Sequence, residues 1–186
     1  MSAVFDLVDI KRRMQGAVAS LKHNFSSLRT GRASPNLLDP IQVDVYGAMM
    51  PMNQLATVSV PEPRLLSIQV WDRSTVSAVE KAILASDLGL NPQTEGQVIR
   101  LRIPETNEER RKQLVKAARG YAEDGKVAIR HVRRDGMELL KKLEKDGTMG
   151  EDEVARLSAE VQKATDQSIA EADSALQAKE KEIMQV

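Results

Sequence analysis

The chain has 186 residues, 41% apolar and 29% charged, with 27 basic and 27 acidic side chains and therefore no net charge. That is length for one ordinary domain or two small ones, and with aromatics at 3% any core must be aliphatic. Cysteine is absent, which excludes disulfides and thiolate chemistry; MSAVFDLVDIKRR lacks a signal-peptide apolar core, and no apolar run approaches the roughly 20 residues of a membrane span, so the expected compartment is the cytosol.

Residues 3–29 read as a helix, with Val4, Leu7, Met14, Val18, Leu21, Phe25 and Leu28 on one stripe, Ile10 beside it and Gly31 as the stop. From Pro35 to Pro104 the helical period is mostly lost. IQVDVY at 41–46 alternates with Ile41, Val43 and Val45 on one face; LATVSV at 55–60, RLLSIQVW at 64–71 and QVIRLRI at 97–103 are β-like. Pro51, Pro61, Pro63 and Pro92 punctuate them. Within this region residues 74–90 form a helix, capped by Ser74 or Thr75, with Val79, Ala82 and Ile83 apolar and Gly89 as its stop.

Helical texture returns after Pro104. Thr106 with Glu109 fits a capping box, opening a helix over 108–145 that ends near Asp146-Gly147. Its apolar stripe is Leu114, Ala118, Tyr121, Gly125, Ala128, Val132, Gly136, Leu139 and Leu143. A third helix runs from about Glu151 to Ile183 along Val154, Leu157, Val161, Ala164, Ser168, Ala172, Ala175, Lys179 and Ile183, with Ser168 and Lys179 interrupting the stripe. Long amphipathic helices are unlikely to be stable alone in water, so the three should bundle. The expectation is an α+β chain: an antiparallel three-helix bundle from residues 1–30 plus 106–186, and an inserted β-rich domain with one helix over 31–105. The chain enters the insert around Thr30-Gly31-Arg32-Ala33 and leaves it around Ile103-Pro104-Glu105-Thr106, a paired crossing that predicts a hinge.

The charge is unevenly spread. Residues 1–30 are net +3, residues 106–146 net +4 and residues 147–186 net −5. On the central helix Lys112, Lys116, Arg119, Lys126, Arg130, Arg133, Arg134 and Lys141 fall roughly opposite the apolar stripe at about 100° per residue. Acidic residues in the middle of that face are few, and its arginines carry the planar fork that pairs with phosphate oxygens. A basic ridge of this kind suits the backbone of a structured RNA, recognised by shape. An adaptor meeting an acidic protein and a general RNA chaperone are the rival readings. Catalysis is not expected: there is no phosphate-cradling glycine loop, no metal-ligand cluster and no acid/base pair, and His23 and His131 lie on separate helices. For His131, beside the ridge, a phosphate or base-edge contact is the functional reading. Trp71, Tyr46 and Tyr121 read as core or domain-interface residues rather than base-stacking platforms.

FSSLRTGRASPNLLD at 25–39, DRSTVSAVEKAILASDLGLNP at 72–92, PETNEERRKQLVK at 104–116 and VAIRHVRRD at 127–135 together resemble the bacterial ribosome recycling factor family, in the family's order and over nearly the whole chain. The resemblance implies a three-helix bundle with an inserted β/α/β domain, hinged and shaped like transfer RNA. It implies a cytoplasmic, monomeric, non-enzymatic factor with no cofactor or metal. With elongation factor G and GTP, such a factor splits the 70S ribosome left on messenger RNA after termination. The bundle would lie against large-subunit ribosomal RNA, and the smaller domain would face the small subunit and the elongation factor. The family's arginine motif matches at Arg130, Arg133 and Arg134, with Arg110 and Arg111 near the helix start and Arg29 and Arg32 at the hinge. The chain departs from the family at His131, where asparagine is common, and at Gly136, where alanine is usual; the latter costs roughly 0.5–1 kcal/mol of helix stability.

Overall fold

The computed structural model describes residues 4–185. In chain order its elements are α1 (Leu7–Ser27), β1 (Gln42–Val45), β2 (Ala48–Pro51), β3 (Ala56–Glu62), β4 (Leu65–Val70), α2 (Val76–Ala85), β5 (Pro92–Glu95), β6 (Val98–Arg102), α3 (Glu108–Lys145) and α4 (Glu151–Met184). They form two compact units. One takes the chain up to Thr30 and from Glu108 onward; the other is Gly31–Asn107, so Thr106 and Asn107 fall with the second unit.

The first unit is a bundle of α1, α3 and α4. Leu21 lies against Gly125 and Ile10 against Gly136, so α1 and α3 are antiparallel. Arg119 meets Glu180 and Arg133 meets Gln162, so α3 and α4 are antiparallel too. Met14, Leu21, Ile129, Leu140, Val161 and Ile183 are completely or almost completely buried between them. Such burial stabilises by roughly 1.5–3 kcal/mol per large aliphatic side chain.

Helix ends differ from the sequence reading for local reasons. The Asp6 carboxylate accepts from the backbone N–H of Val8 at 2.9 Å and of Asp9 at 3.3 Å. This caps α1 at Leu7, and Val4 is exposed; Ala3, the predicted first residue, lies outside the described residues. Helix α1 closes at Ser27, before Gly31 can act as its stop. Helix α3 begins at Glu108, too late for Thr106 to be its cap. At its other end Gly147, at φ 70°, donates to Glu144 O while Thr148 donates to Leu143 O, a Schellman stop.

The buried face of α3 is also wider than one stripe. Ala122, Ile129 and Leu140 are buried, Tyr121, Gly125 and Leu139 half-buried, and Ala128 exposed. A helix packed against two neighbours buries a broad arc, and it favours Ile129 over Ala128. On α4, Ser168 and Lys179 continue the stripe rather than interrupting it: Ser168 is 2% exposed and the Lys179 side chain 12%. Lysine can do this by burying its stem and reaching Glu182 with its head at 3.3 Å.

The second unit holds a β1–β2 hairpin and a four-stranded antiparallel sheet in the order β3-β4-β6-β5. Leu66, Ile68 and Val70 alternate inward on β4, as do Ile99 and Leu101 on β6. They share a core with Val79 and Ile83 of α2, and with Leu38 and Val43. The sequence reading missed β2 and β5 because three prolines looked like breaks. Pro51, Pro61 and Pro92 are instead strand residues of β2, β3 and β5. All three strands have an unpaired edge, where a missing N–H costs no ladder bond.

The cap before α2 belongs to Asp72, whose carboxylate accepts from Ser74 N at 2.9 Å and Ser74 Oγ at 2.8 Å; neither Ser74 nor Thr75 caps that helix with its side chain. Helix α2 ends at Ala85, ahead of Gly89. Trp71 and Tyr46 are not core residues. Trp71 is 58% exposed because strand alternation turns Val70 in and Trp71 out. Tyr46 is 86% exposed at the tip of the β1–β2 turn, where it takes φ 53° beside Gly47 at φ 85°.

Gly136 carries a prediction. A Cβ there would lie 3.3 Å from Ile10 Cδ1 and 3.7 Å from Val161 Cγ1. The nearest atom is the flexible end of a side chain, so the helix-propensity gain of about 1 kcal/mol should outweigh the crowding. Gly136→Ala is expected to stabilise the protein by about 0.5 kcal/mol in chemical denaturation. A loss of stability would show that Ile10 cannot give way.

Candidate nucleic-acid interface

At about 100° per residue, Lys112, Lys116, Arg130, Arg134 and Lys141 lie within about 40° of one another along α3. All five are exposed. Lys112 pairs with Glu108 one turn earlier at 2.8 Å, a solvated pair of small worth. Among the described residues no carboxylate pairs with Lys116, Arg130 or Lys141. Arg110 is exposed and reaches Gln113 at 3.4 Å, while Arg111 is half-buried.

The remaining predicted ridge residues sit about 60° round toward α4 and have different surroundings. Lys126 is not on the open face: its side chain is 17% exposed and its ammonium lies 3.1 Å from Asp173 and 3.4 Å from Glu123. Its pKa is raised, first by the hydrogen bond to Asp173. Arg119 Nε donates to Glu180. Glu123 is on α3 itself, but Asp173 and Glu180 stand on α4, so spacing along α3 alone does not reveal them. Their signal in the sequence was the net −5 of residues 147–186.

Arg133 is half-buried, and its Nε donates to Gln162 Oε1 at 2.7 Å. Gln162 Nε2 in turn donates to Asp166 Oδ1 at 2.9 Å. Among the described residues no carboxylate pairs with this guanidinium; a neutral amide orients it. Nothing in residue spacing pointed to Gln162 or Asp166, because the pairing depends on the register between α3 and α4.

On the α1 side Arg13 Nη2 donates to Asp135 Oδ2 at 2.8 Å. That hydrogen bond is the first cause holding Asp135 below the usual carboxylate range. Glu171 is depressed likewise, first by Lys22. A carboxylate depressed in the folded state contributes stability that is present above its unfolded pKa and lost as pH falls through its folded one. As pH falls through that range these two exposed ion pairs lose their small contribution. Arg134 Nη2 lies 3.2 Å from both ring nitrogens of His131.

The predicted hinge residues divide between the units. Arg29 and Thr30 close the first. Thr30 is 8% exposed, and its hydroxyl donates to Glu182 Oε1 at 3.1 Å. In the second, Ala33 N donates to Pro63 O and Ile103 N to Arg64 O, both at 2.8 Å, and Arg64 pairs with Glu105. Arg32 and Pro104 are exposed. Gly31 holds φ 78° and touches Thr106: a Cβ on it would stand 2.7 Å from Thr106 Cγ2.

Among the described residues no cluster of side chains could hold a metal ion, and no helix is long and apolar enough to cross a membrane. What the outer face of α3 offers is a row of cations at helical spacing, suited to a row of phosphates.

Comparison with known proteins agrees over the full chain. A family model described as "Ribosome recycling factor" matches residues 21–184. The ribosome-recycling factor of Methylobacterium sp. (strain 4-46) is 72% identical over 182 residues, covering 98% of this chain and 97% of that one. That of Azorhizobium caulinodans is 67% identical over 186 residues, covering all of both. Among solved structures, a solution structure of the ribosome recycling factor superposes with TM-score 0.77 at 41% identity, over 99% of this chain and 100% of the other. A second structure describes the T. thermophilus ribosome recycling factor and the E. coli elongation factor G bound to the E. coli post-termination complex. It matches with TM-score 0.65 at 49% identity, over 96% of each chain.

Proposed function

Because the chain belongs to the ribosome recycling factor family, we propose that it recycles ribosomes: with elongation factor G and GTP it splits the post-termination ribosome and frees it from messenger RNA. The observation that carries this reading is full-length identity of 67% to a ribosome-recycling factor with no part of either chain left over. A structural relative bound with elongation factor G to the post-termination complex supports the choice of partners. The factor itself is not an enzyme; GTP is hydrolysed on its partner. It acts in the cytoplasm as a monomer.

The bundle anchors the factor through phosphate contacts on large-subunit RNA. Lys112, Lys116, Arg130 and Arg134 form the open part of that surface, and Arg133 is an oriented member at its edge. Arg110 and Arg111 stand at the helix start but about 120–140° round from that row, and Arg119 and Lys126 contribute less because α4 already neutralises them. The connections at 29–33 and 103–106 act as a hinge, so a push on the smaller domain from the translocating partner is transmitted to the bridges between subunits.

The test is subunit splitting. Post-termination 70S complexes mixed with elongation factor G, GTP and this protein should separate into subunits, followed by light scattering. Scattering that does not fall beyond the level seen with elongation factor G and GTP alone would overturn the proposal.

A further inference from the structure

We propose that phosphate binding at Arg134 is linked to proton uptake by His131, making His131 a proton-gated member of the RNA-binding face. The proposal rests on the reading of that face as phosphate-binding, and deepens it. Arg134 Nη2 is 3.2 Å from both Nδ1 and Nε2 of His131. Whichever tautomer the neutral ring adopts, one unprotonated nitrogen faces the guanidinium and can accept from it. A doubly protonated ring has no such nitrogen and would set a second cation against the first.

The surroundings decide what an imidazolium here would look for. On α3 its charged neighbours are Arg130, Arg134 and Asp135. Asp135 Oδ1 is 3.7 Å from Nδ1, but the other oxygen of that carboxylate is held at 2.8 Å by Arg13, the charged group that α1 brings to the cluster. Among the described residues α4 contributes no ion pair here. Asp135 is therefore already compensated, and the His131 side chain is 61% exposed to solvent. A phosphate arriving on Arg134 brings a negative charge beside the ring and supplies an acceptor for a second ring N–H. Histidine is the side-chain type that changes charge between about pH 5 and 8. An anion that stabilises the charged ring draws a proton onto it, so RNA affinity rises as pH falls.

The experiment measures binding to large ribosomal subunits at pH 8 and pH 6 and constant ionic strength, for the wild type, His131→Asn, Arg130→Ala and Arg134→Ala. Asparagine keeps a hydrogen-bond acceptor and never ionises, so it subtracts the titration of the ribosome's own groups. Between pH 8 and pH 6 the wild type should tighten by about three- to tenfold more than His131→Asn. At pH 6 its log–log salt slope should also be steeper by about 0.7–0.9, one phosphate contact. Equal pH profiles, or a steeper one in the asparagine variant, would overturn the inference for His131. If Arg130→Ala and Arg134→Ala bind as tightly as the wild type throughout, the RNA-binding reading of the face itself fails, and that outcome is distinct.

Discussion

Arg133→Ala is expected to weaken ribosome binding by roughly 10- to 100-fold, the worth of one charge-assisted contact at about 1.5–3 kcal/mol. The salt slope should fall by about 0.7–0.9. Arg133 is singled out over its more exposed neighbours because it is already oriented. Its Nε is held by Gln162 Oε1 at 2.7 Å, and Gln162 is held in turn by Asp166 at 2.9 Å. That leaves the terminal nitrogens for an outside acceptor. A guanidinium fixed before binding avoids most of the roughly 0.5–1.5 kcal/mol lost in immobilising a flexible side chain. Arg133→Lys should not restore binding, since lysine has neither the Nε nor the fork. Gln162→Ala should cost about threefold by releasing the guanidinium, within that same ordering term. Arg119→Ala is the contrast: its guanidinium is already bonded to Glu180, so its loss should matter little. Affinity that survives Arg133→Ala but falls in Arg119→Ala would move the contact surface toward the N-terminal end of α3.

That contrast separates what the amino-acid sequence made legible from what it did not. The three helices, their packing stripes and the β-rich insert follow from periodicity, which needs only neighbours along the chain. So does the exposure of Arg130 and Arg134, which lie opposite the buried arc of α3. The state of Arg119 and Lys126 does not follow, because it depends on which residues of α4 come alongside. Asp173 and Glu180 lie 47 and 61 residues away in sequence from the cations they neutralise. The same holds for Arg13 and Asp135, 122 residues apart. The uneven charge was visible, but its two uses, gripping an external anion and closing a seam between helices, look identical until the register is known. For Tyr46 the core alternative fails for a different reason. A tyrosine at positive φ is a costly choice for a two-residue turn, where Asn-Gly is usual, so the residue type gives no sign of a turn there. The β1–β2 hairpin instead places Tyr46 at the exposed tip, where its hydroxyl reaches Ser74 Oγ at 3.2 Å.

Gly31→Ala is expected to destabilise the second unit by about 2–5 kcal/mol, from two separable causes. The backbone at Gly31 holds φ 78°, a left-handed conformation that costs an L residue about 1–2 kcal/mol. The added Cβ would also stand 2.7 Å from Thr106 Cγ2 and 3.2 Å from Thr106 Oγ1, and overpacking of this kind costs about 1–3 kcal/mol. Thr106→Ser removes Cγ2 alone. In the double variant it should recover the packing part and leave the backbone part, a coupling that a double-mutant cycle on denaturant unfolding reads directly. No recovery would mean that Thr106 is not what Gly31 makes room for. The functional expectation builds on the proposed hinge. The contact joins the two segments through which the chain passes into and out of the insert, close to where any bend would have to occur. It involves none of the cations of α3 that are proposed to hold RNA. Gly31→Ala should therefore keep the salt-dependent binding to ribosomes while slowing their splitting by elongation factor G and GTP, and Thr106→Ser should partly restore the rate. Binding and splitting that fall together by the same factor would remove the hinge from the mechanism and leave Gly31 a purely structural residue.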